Sequence, residues 1–224
     1  DIRNRPFGPE FIDNFELGIK TIKDNYVFSA TSFYGFRRDQ QVSVSSQQEL
    51  GNPNSFYFFT ANSGKGTLKG FEAEFSYRFL NSWFATSSLG LLDTYVEKFS
   101  YLTSNGLSYG GGRGSAMAPR LTGSFGIKYD MKKTYFSFIT TYKSDYFFSD
   151  SHDNKSDAFS LTNLSFGHIF ANFNLQFWSK NIFDKKFVTR GFYFGLIPPN
   201  YSEELWESYG DPRSFGVTLI YNIK

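Results

Sequence analysis

Cysteine is absent from the 224 residues, which excludes disulfides and thiolate metal sites. No run of about 18 apolar residues occurs, so the chain has no transmembrane helix. That absence leaves a membrane open, because strands that cross a bilayer are invisible to a hydropathy window. An excess of either charge is also missing. Lys plus Arg number 23 against 21 for Asp plus Glu, a net charge of +2. Such a balance gives no argument for nucleic acid as a partner. Asp1 opens the chain without Met, signal peptide or basic n-region, as in a processed protein or a fragment. Mean hydropathy is only -0.37, which taken alone suggests a soluble protein.

What is present argues otherwise. Aromatic residues make up 21% of the chain, with 29 Phe and 15 Tyr. Phe and Tyr favour strands, and aromatic girdles mark membrane barrels. A barrel with a wet lumen also needs a polar residue at every second position, so low hydropathy is expected of it. The alternation is plainest at the end of the chain. Phe215, Val217, Leu219, Tyr221 and Ile223 share one parity, and Ser214, Gly216, Thr218 and Asn222 the other, with Ile220 the exception. Successive strand side chains point to opposite faces, and about ten such residues cross a bilayer as a tilted strand.

The same pattern recurs along the chain. Phe15, Leu17 and Ile19 alternate with Asn14, Glu16, Gly18 and Lys20. After a turn at Lys23-Asp24-Asn25, a second strand runs from Tyr26 to about Val42. A third carries Phe71, Ala73, Phe75, Tyr77 and Phe79 against Glu72, Glu74, Ser76 and Arg78, with Phe56–Thr60 as a possible outer extension. Further strands are expected from Trp83 to about Lys98, over Leu121–Tyr129, Thr134–Phe148 and about Ala158–Phe170, and around Phe173–Phe177. The closing strand makes about nine. Connections alternate short and long. Turns fall near residues 24, 81, 131 and 171, and polar loops occupy Ser43–Ser55, Phe99–Ala118, Ser149–Ser156 and Lys185–Gly210. An antiparallel outer-membrane barrel has short periplasmic turns and long outer loops. Sandwich strands are nearer five or six residues. The expected fold is all-β, an antiparallel meander of about nine long strands forming part of a transmembrane β-barrel.

Enzyme signatures fail on inspection. Gly64-Lys65-Gly66-Thr67 lacks the spaced upstream Gly of a phosphate loop and reads as an outer-strand turn; Gly110–Gly114 has no following helix. His152, among Asp150, Asp153 and Asp157, could join a metal site, but a solvated loop is the reading adopted. His168, on the parity of Leu164 and Phe166 near a strand end, reads as interfacial. No catalytic residue, metal site or cofactor is expected, and the chain is not read as an enzyme.

Five motifs resemble one family. Pro9-Glu10 with Asn14-Phe15-Glu16-Leu17-Gly18-Ile19-Lys20 resembles a mid-barrel strand of the TonB-dependent outer-membrane receptors. Gly70-Phe71-Glu72-Ala73-Glu74 resembles their Gly-x-Glu-x-Glu strand, and Ala118-Pro119-Arg120 with Gly123 and Tyr129 their Ala-Pro…Gly…Tyr strand. Lys180-Asn181-Ile182-Phe183-Asp184-Lys185-Lys186-Phe187 is similar to their Asn-Leu-Phe-Asp-x-x-Tyr signature. Gly210-Asp211-Pro212-Arg213 and the strand after it resemble their Gly-x-Pro-Arg ending. The family usually ends on an aromatic residue two positions after a Tyr, where this chain has Ile223 and then Lys224.

The resemblance implies that residues 1–224 are the C-terminal portion of a receptor barrel, without the plug domain that such receptors hold inside about 22 strands. It implies a bacterial outer-membrane location, surrounding lipid, and uptake of a scarce large solute such as a ferric siderophore, driven by the TonB complex through the missing plug. Nucleic acid is not an expected partner. Arg113, Arg190, Tyr193 and Trp206 are the leading candidates to grip the solute, with Tyr109 and Tyr209 as further stacking residues. Glu16, Lys20, Arg37, Glu72, Glu74 and Arg78 are expected to face the lumen and to pair with basic or acidic groups on neighbouring strands or on a plug. Two other readings remain: a passive pore or adhesin built from several chains, and a soluble β-sheet module binding carbohydrate through exposed Tyr and Trp.

Overall fold

The computed structural model describes residues 6–223. The reading of Asp1 as a processed or fragment start, and the Lys224 that follows Ile223, lie outside them. Among the described residues there are seventeen strands: β1 Phe11–Ile22, β2 Tyr26–Arg38, β3 Gln41–Gln47, β4 Phe56–Asn62, β5 Gly66–Leu80, β6 Trp83–Val96, β7 Phe99–Thr103, β8 Gly106–Gly110, β9 Leu121–Met131, β10 Thr134–Lys143, β11 Tyr146–Phe147, β12 Lys155–Ser156, β13 Phe159–Phe170, β14 Phe173–Lys180, β15 Val188–Phe194, β16 Glu204–Tyr209 and β17 Ser214–Tyr221. Nine of them form one antiparallel sheet in the order β1-β2-β5-β6-β9-β10-β13-β14-β17. The expected all-β meander of nine long strands is what the chain builds.

Register fixes the faces. Leu17 lies opposite Ser32, which lies opposite Phe71, which lies opposite Leu91, which lies opposite Leu121. Phe125, Thr140 and Thr162 form one such row, and Phe136, Phe166, Phe177 and Val217 another. One mostly apolar face therefore runs across the sheet, and the other parity gives a face rich in Ser, Thr, Gly and charged residues, with Phe33, Phe84, Ile139 and Leu161 among them. A one-residue slip anywhere would exchange the two.

At the short-turn end the apolar face carries a belt of rings. Tyr77 and Phe79 lie 6.3 Å apart, Phe79 and Trp83 6.0 Å, and Trp83 and Tyr129 4.9 Å. Phe173 and Tyr221 continue it at 4.8 Å, and His168 stands 4.3 Å from Phe170 with its Nδ1 2.8 Å from Thr134 Oγ1. The tightest turns hold Lys132 and Ala171 at φ of 45° and 47°, the positive values that match a two-residue hairpin to strand twist.

The polar face is closed by aromatic side chains lying over glycines. Tyr135 crosses Gly167, where a methyl would overlap its ring, and its hydroxyl donates to Asn174 Oδ1 at 3.0 Å. Trp178 covers Gly216 in the same way and donates through Nε1 to Thr218 Oγ1 at 3.2 Å.

The long connections differ from expectation. Each was read as loop, yet each holds a hairpin: β3–β4, β7–β8, β11–β12 and β15–β16. The second strand does not reach Val42. Asp39 takes a φ of 53° and ends β2 at Arg38, and Val42 belongs to β3. Phe56–Thr60 is no extension of the third strand but part of β4, paired with β3. The sixth strand stops at Lys143, where Ser144 closes the ladder: its N–H donates to Leu121 O at 2.9 Å and its Oγ accepts Leu121 N–H at 3.1 Å. Tyr146 and Phe147 then pair with Ser156 and Lys155.

The buried apolar cluster lies at these hairpins and at the outer end of β6, where Val96 closes the strand. Val42, Val44, Val96 and Phe99 are all under 9% exposed and pack with Phe59, Ala61 and Tyr101.

Candidate solute-binding crown

The hairpins are tied into one body at the long-loop end. Gln47 is fully buried and donates through Nε2 to Asn52 O and Tyr201 O, each at 3.2 Å. Ser46 Oγ donates to Leu102 O at 2.8 Å, joining β3 to β7. Tyr101 donates to Ser151 O at 2.8 Å, and Tyr146 to Thr189 O at 3.2 Å. Phe56 of β4 stacks on Phe194 of β15 at 4.3 Å.

Arg113 is a strut in this body. Its Nε donates to Asp153 Oδ1 at 2.7 Å, its Nη1 to Gly114 O at 3.1 Å, and its Nη2 to Ser149 O and His152 O at 2.8 and 2.6 Å. The guanidinium carbon sits 3.8 Å from the centre of the Phe147 ring. Most of its donors are thus spent on the 149–153 segment, and the side chain is 14% exposed.

Of the remaining solute-site candidates, Tyr109 lies on the β7–β8 hairpin and the other four on the β15–β16 hairpin. Phe192 lies opposite Trp206 and Arg190 opposite Ser208, so Arg190, Phe192 and Trp206 share a face. Trp206 Nε1 donates to Phe194 O at 3.0 Å. Tyr193 is on the reverse face, where its hydroxyl accepts Asn154 Nδ2 at 2.8 Å and its ring meets His152 edge-on at 5.1 Å. Tyr209 is exposed opposite Val188, and Tyr109 is exposed beneath Lys98 Nζ, 4.7 Å from its ring centre. A depression of about 560 Å³ is lined by Arg190, His152, Phe58, Phe192 and Met117, among others. Of the six sequence candidates it takes in Arg190 alone. Phe58 and Met117 were missed, although an exposed aromatic and an exposed thioether in a polar loop are a usable signal: they are 72% and 53% exposed.

His152 is not the solvated loop residue expected. It is half-buried, its Nδ1 is buried without a hydrogen-bond partner among the described residues, and burial first and the Arg113 charge second hold its pKa below the usual imidazole value. Burial likewise raises the pKa of Tyr101, helped by Glu203.

On the polar face of the wall, Glu16, Lys20, Arg37, Glu72, Glu74 and Arg78 all share the parity opposite to the apolar rows. Arg37 Nε lies 3.5 Å from Glu10 Oε1, and Arg78 lies over Phe84 at 5.1 Å. Glu16 Oε1 accepts Asn14 Nδ2 at 2.5 Å. Glu72 is flanked by Thr31 and Gly90, and Glu74 by Ser29 and Ser88. Neighbouring strands thus present small groups to these two carboxylates rather than the basic partners expected.

Residues 1–182 match the family model for the TonB-dependent receptor-like β-barrel. Among solved structures, the chain is similar to the ferric yersiniabactin uptake receptor FyuA from Yersinia pestis. The identity is 17%, the TM-score 0.74, and the match covers 96% of this chain and 30% of that one. It is similar to the copper transporter OprC at 16% identity and a TM-score of 0.72, over 94% of this chain and 32% of that one. The siderophore receptor PiuA from Acinetobacter baumannii gives 16% and 0.72, over 98% and 29%. The chain therefore spans about a third of the length of these structures, and at such identities they speak for the fold. With the family model over most of the chain, a nine-stranded wall with one greasy face, and hairpins crowning one end, this chain belongs to the TonB-dependent receptor β-barrel family.

Proposed function

We propose that this chain is the C-terminal portion of the barrel of a bacterial outer-membrane receptor, and that the complete protein imports an iron chelate of the siderophore class, or a similar large solute, with energy from the TonB complex. The apolar face meets lipid, the polar face lines the lumen, and the crown binds the solute. The reading rests chiefly on the mostly apolar and mostly polar faces of the nine-stranded sheet together with the family match. A wall with two faces of opposite character suits a channel in lipid. The chain carries out no chemistry on its cargo.

The two free edges, β1 and β17, fit a partial barrel, since an unpaired edge is not tolerated in hydrocarbon. Glu72 and Glu74 suit the same reading. Carboxylates on a wall of Ser, Thr and Gly leave room for basic groups of a plug packed against them. In the crown, Arg190 and Trp206, sharing a face with Phe192, are the first choice for an anionic, partly aromatic solute. Tyr193, on the reverse face of that hairpin, and the exposed Tyr109 and Tyr209 are further candidates. Arg113 acts by holding the 149–153 segment that carries His152.

The test is growth on single iron sources with and without the full gene, alongside quenching of tryptophan fluorescence in the purified intact receptor. An iron chelate that supports growth only with the gene, and binds with an affinity lowered by Arg190→Gln, supports the reading. Growth on every iron source without the gene, and no binding of any chelate, would refute it.

A further inference from the structure

Methionine is scarce in this chain: two residues of 224, against 29 Phe. With cysteine absent, the two thioethers are its only sulfur atoms. Both methionines are 53% exposed, and they stand at opposite ends of the wall. Met131 closes β9 at the short-turn end, two residues from Tyr129 of the aromatic belt. The Tyr129 hydroxyl donates to its sulfur at 3.4 Å. Met117 lies at the long-loop end, between β8 and β9.

The backbone of Met117 is fixed. Its φ is 56°, in the left-handed region that few residues other than glycine adopt, and its N–H donates to Phe147 O at 2.8 Å. The residue lines the depression of about 560 Å³, where Phe58 and Phe192 are apolar walls and Arg190 and His152 polar ones. A thioether is oxidised through a lone pair on sulfur. Exposure is equal at the two methionines, but the lone pairs are not. The Tyr129 hydroxyl engages one on Met131, and no donor among the described residues does so at Met117. Met117 is therefore the more open to an electrophilic oxidant. On the outer-membrane reading the crown faces the medium, from which such an oxidant arrives.

We propose that Met117 is an oxidant-sensitive modification site, and that its conversion to the sulfoxide by a peroxide weakens solute binding in the crown. The effect on binding rests on the solute-site reading of the depression. With hydrogen peroxide, an Sδ lone pair forms the S–O bond as the O–O bond breaks. Sulfur gives up two electrons and the peroxide is reduced. The proton on the new S–OH passes to the departing hydroxide, which leaves as water. The product carries a polar S=O group where an apolar thioether stood. Set among Phe58, Phe192 and the apolar part of a solute, that oxygen is a polar group pressed into apolar contact. It also accepts hydrogen bonds, so it competes with an anionic solute for Arg190. Sulfoxide reductases reverse the change, so binding can be lowered and restored without new synthesis.

The intact receptor in detergent tests it, treated with dilute hydrogen peroxide and digested for peptide mass spectrometry. The sulfoxide is expected first at Met117, with Met131 following more slowly. Isothermal titration then compares treated and untreated protein, with ferric citrate, ferrichrome and ferric enterobactin as probes. A probe that binds the untreated wild type is expected to lose about tenfold in affinity on treatment, and to regain it after incubation with methionine sulfoxide reductases A and B. Met131→Leu should keep that loss and Met117→Leu should abolish it, whatever affinity each starts from. Met117→Gln, with a permanent polar group in place of the sulfur, should bind about tenfold more weakly than the wild type without any peroxide. Oxidation of Met131 before Met117 or at the same rate, an unchanged affinity in fully oxidised protein, or a loss that persists in Met117→Leu overturns the site. If the untreated wild type binds none of the three probes, the solute-site reading falls, and the order of sulfoxide formation decides the modification alone.

Discussion

Replacing Leu89 by Arg tests the two-faced wall at its middle. Leu89 lies on the apolar face between Ala73 on one neighbouring strand and Gly123 on the other. Neither can shield or pair a guanidinium. The nearest acid on that face of β6 is Asp93, four residues and about 13 Å along the strand. Trp83, in the belt, is six residues the other way, about 15 Å across the bilayer after allowing for a tilt of about 40°. Position 89 is thus near the midplane of an apolar band about 25 Å tall, where Arg costs about 2–4 kcal/mol. That is about a 30- to 700-fold drop in the folding equilibrium constant. Tyr77→Arg, in the belt, should cost at most about 1 kcal/mol. Equilibrium unfolding of the intact receptor in urea with lipid vesicles, followed by tryptophan fluorescence, reads both. Equal costs at the two positions would refute the depth assignment, and a negligible cost at 89 would mean that this face does not meet hydrocarbon.

The crown and turns yield further expectations. Val44→Ala removes two methyl groups from the buried cluster with Val42, Val96 and Phe99 and should destabilise the crown by about 2 kcal/mol, seen as faster amide exchange over β3 and β7 with the wall unchanged. Arg113→Gln deletes the bonds to Ser149, His152 and Asp153 and should loosen 149–153 by about 2 kcal/mol, measured by the same exchange. The depressed pKa of His152 has a pH signature: the unfolded imidazole takes its proton near its ordinary value of 6.5 and the folded one only lower. Crown stability should be complete above that value and decline as pH falls below it, as followed by exchange at 149–153, and His152→Gln should abolish the decline. Ala171, at a φ of 47° in a two-residue turn, should become more comfortable as Gly, raising stability by up to about 1 kcal/mol in urea titrations.

The wall was legible because its signal is long and repeated. Alternation over Phe71–Phe79 or Leu121–Tyr129 assigns a face to every residue, and the short turns fall where the pattern breaks. The crown was opaque for a physical reason. Val42 reads as the end of the second strand and Ser43–Gln47 as polar loop because Ser and Gln outnumber Val44, yet the two valines, two residues apart on one face of β3, are nearly completely buried. Their partners, Val96 and Phe99, are about 50 residues away, and no local window joins them. Arg113 misled in the same way. A lone Arg in a glycine-rich loop suggests an anion site, but Phe147, Ser149 and Asp153 that occupy it arrive from a different hairpin. His152 likewise owes its burial to Tyr193 and Arg113, neither of them near in sequence.

That the tight core lies in the crown, and reaches the wall only at the outer end of β6, follows from what each part faces. On the proposed outer-membrane reading the wall has lipid on one side, so its Phe and Leu need no protein partner. The proposed lumen on the other side is lined by Ser, Thr and Gly. Its order comes from register, from the belt and from rings laid over Gly167 and Gly216. The hairpins have water around them and must bury something of their own. They do so jointly: β3, β6 and β7 supply the apolar cluster, and Gln47, Ser46, Tyr101 and Arg113 tie the pieces with bonds that cross from one hairpin to another. A surface fixed in this way is already shaped before a solute arrives, so less binding energy is lost to ordering loops. The cost falls on adaptability. A crown cross-braced at Arg113 and Gln47 suits a narrow set of solutes, and loosening either residue should broaden what the receptor accepts while weakening its grip on the best ligand.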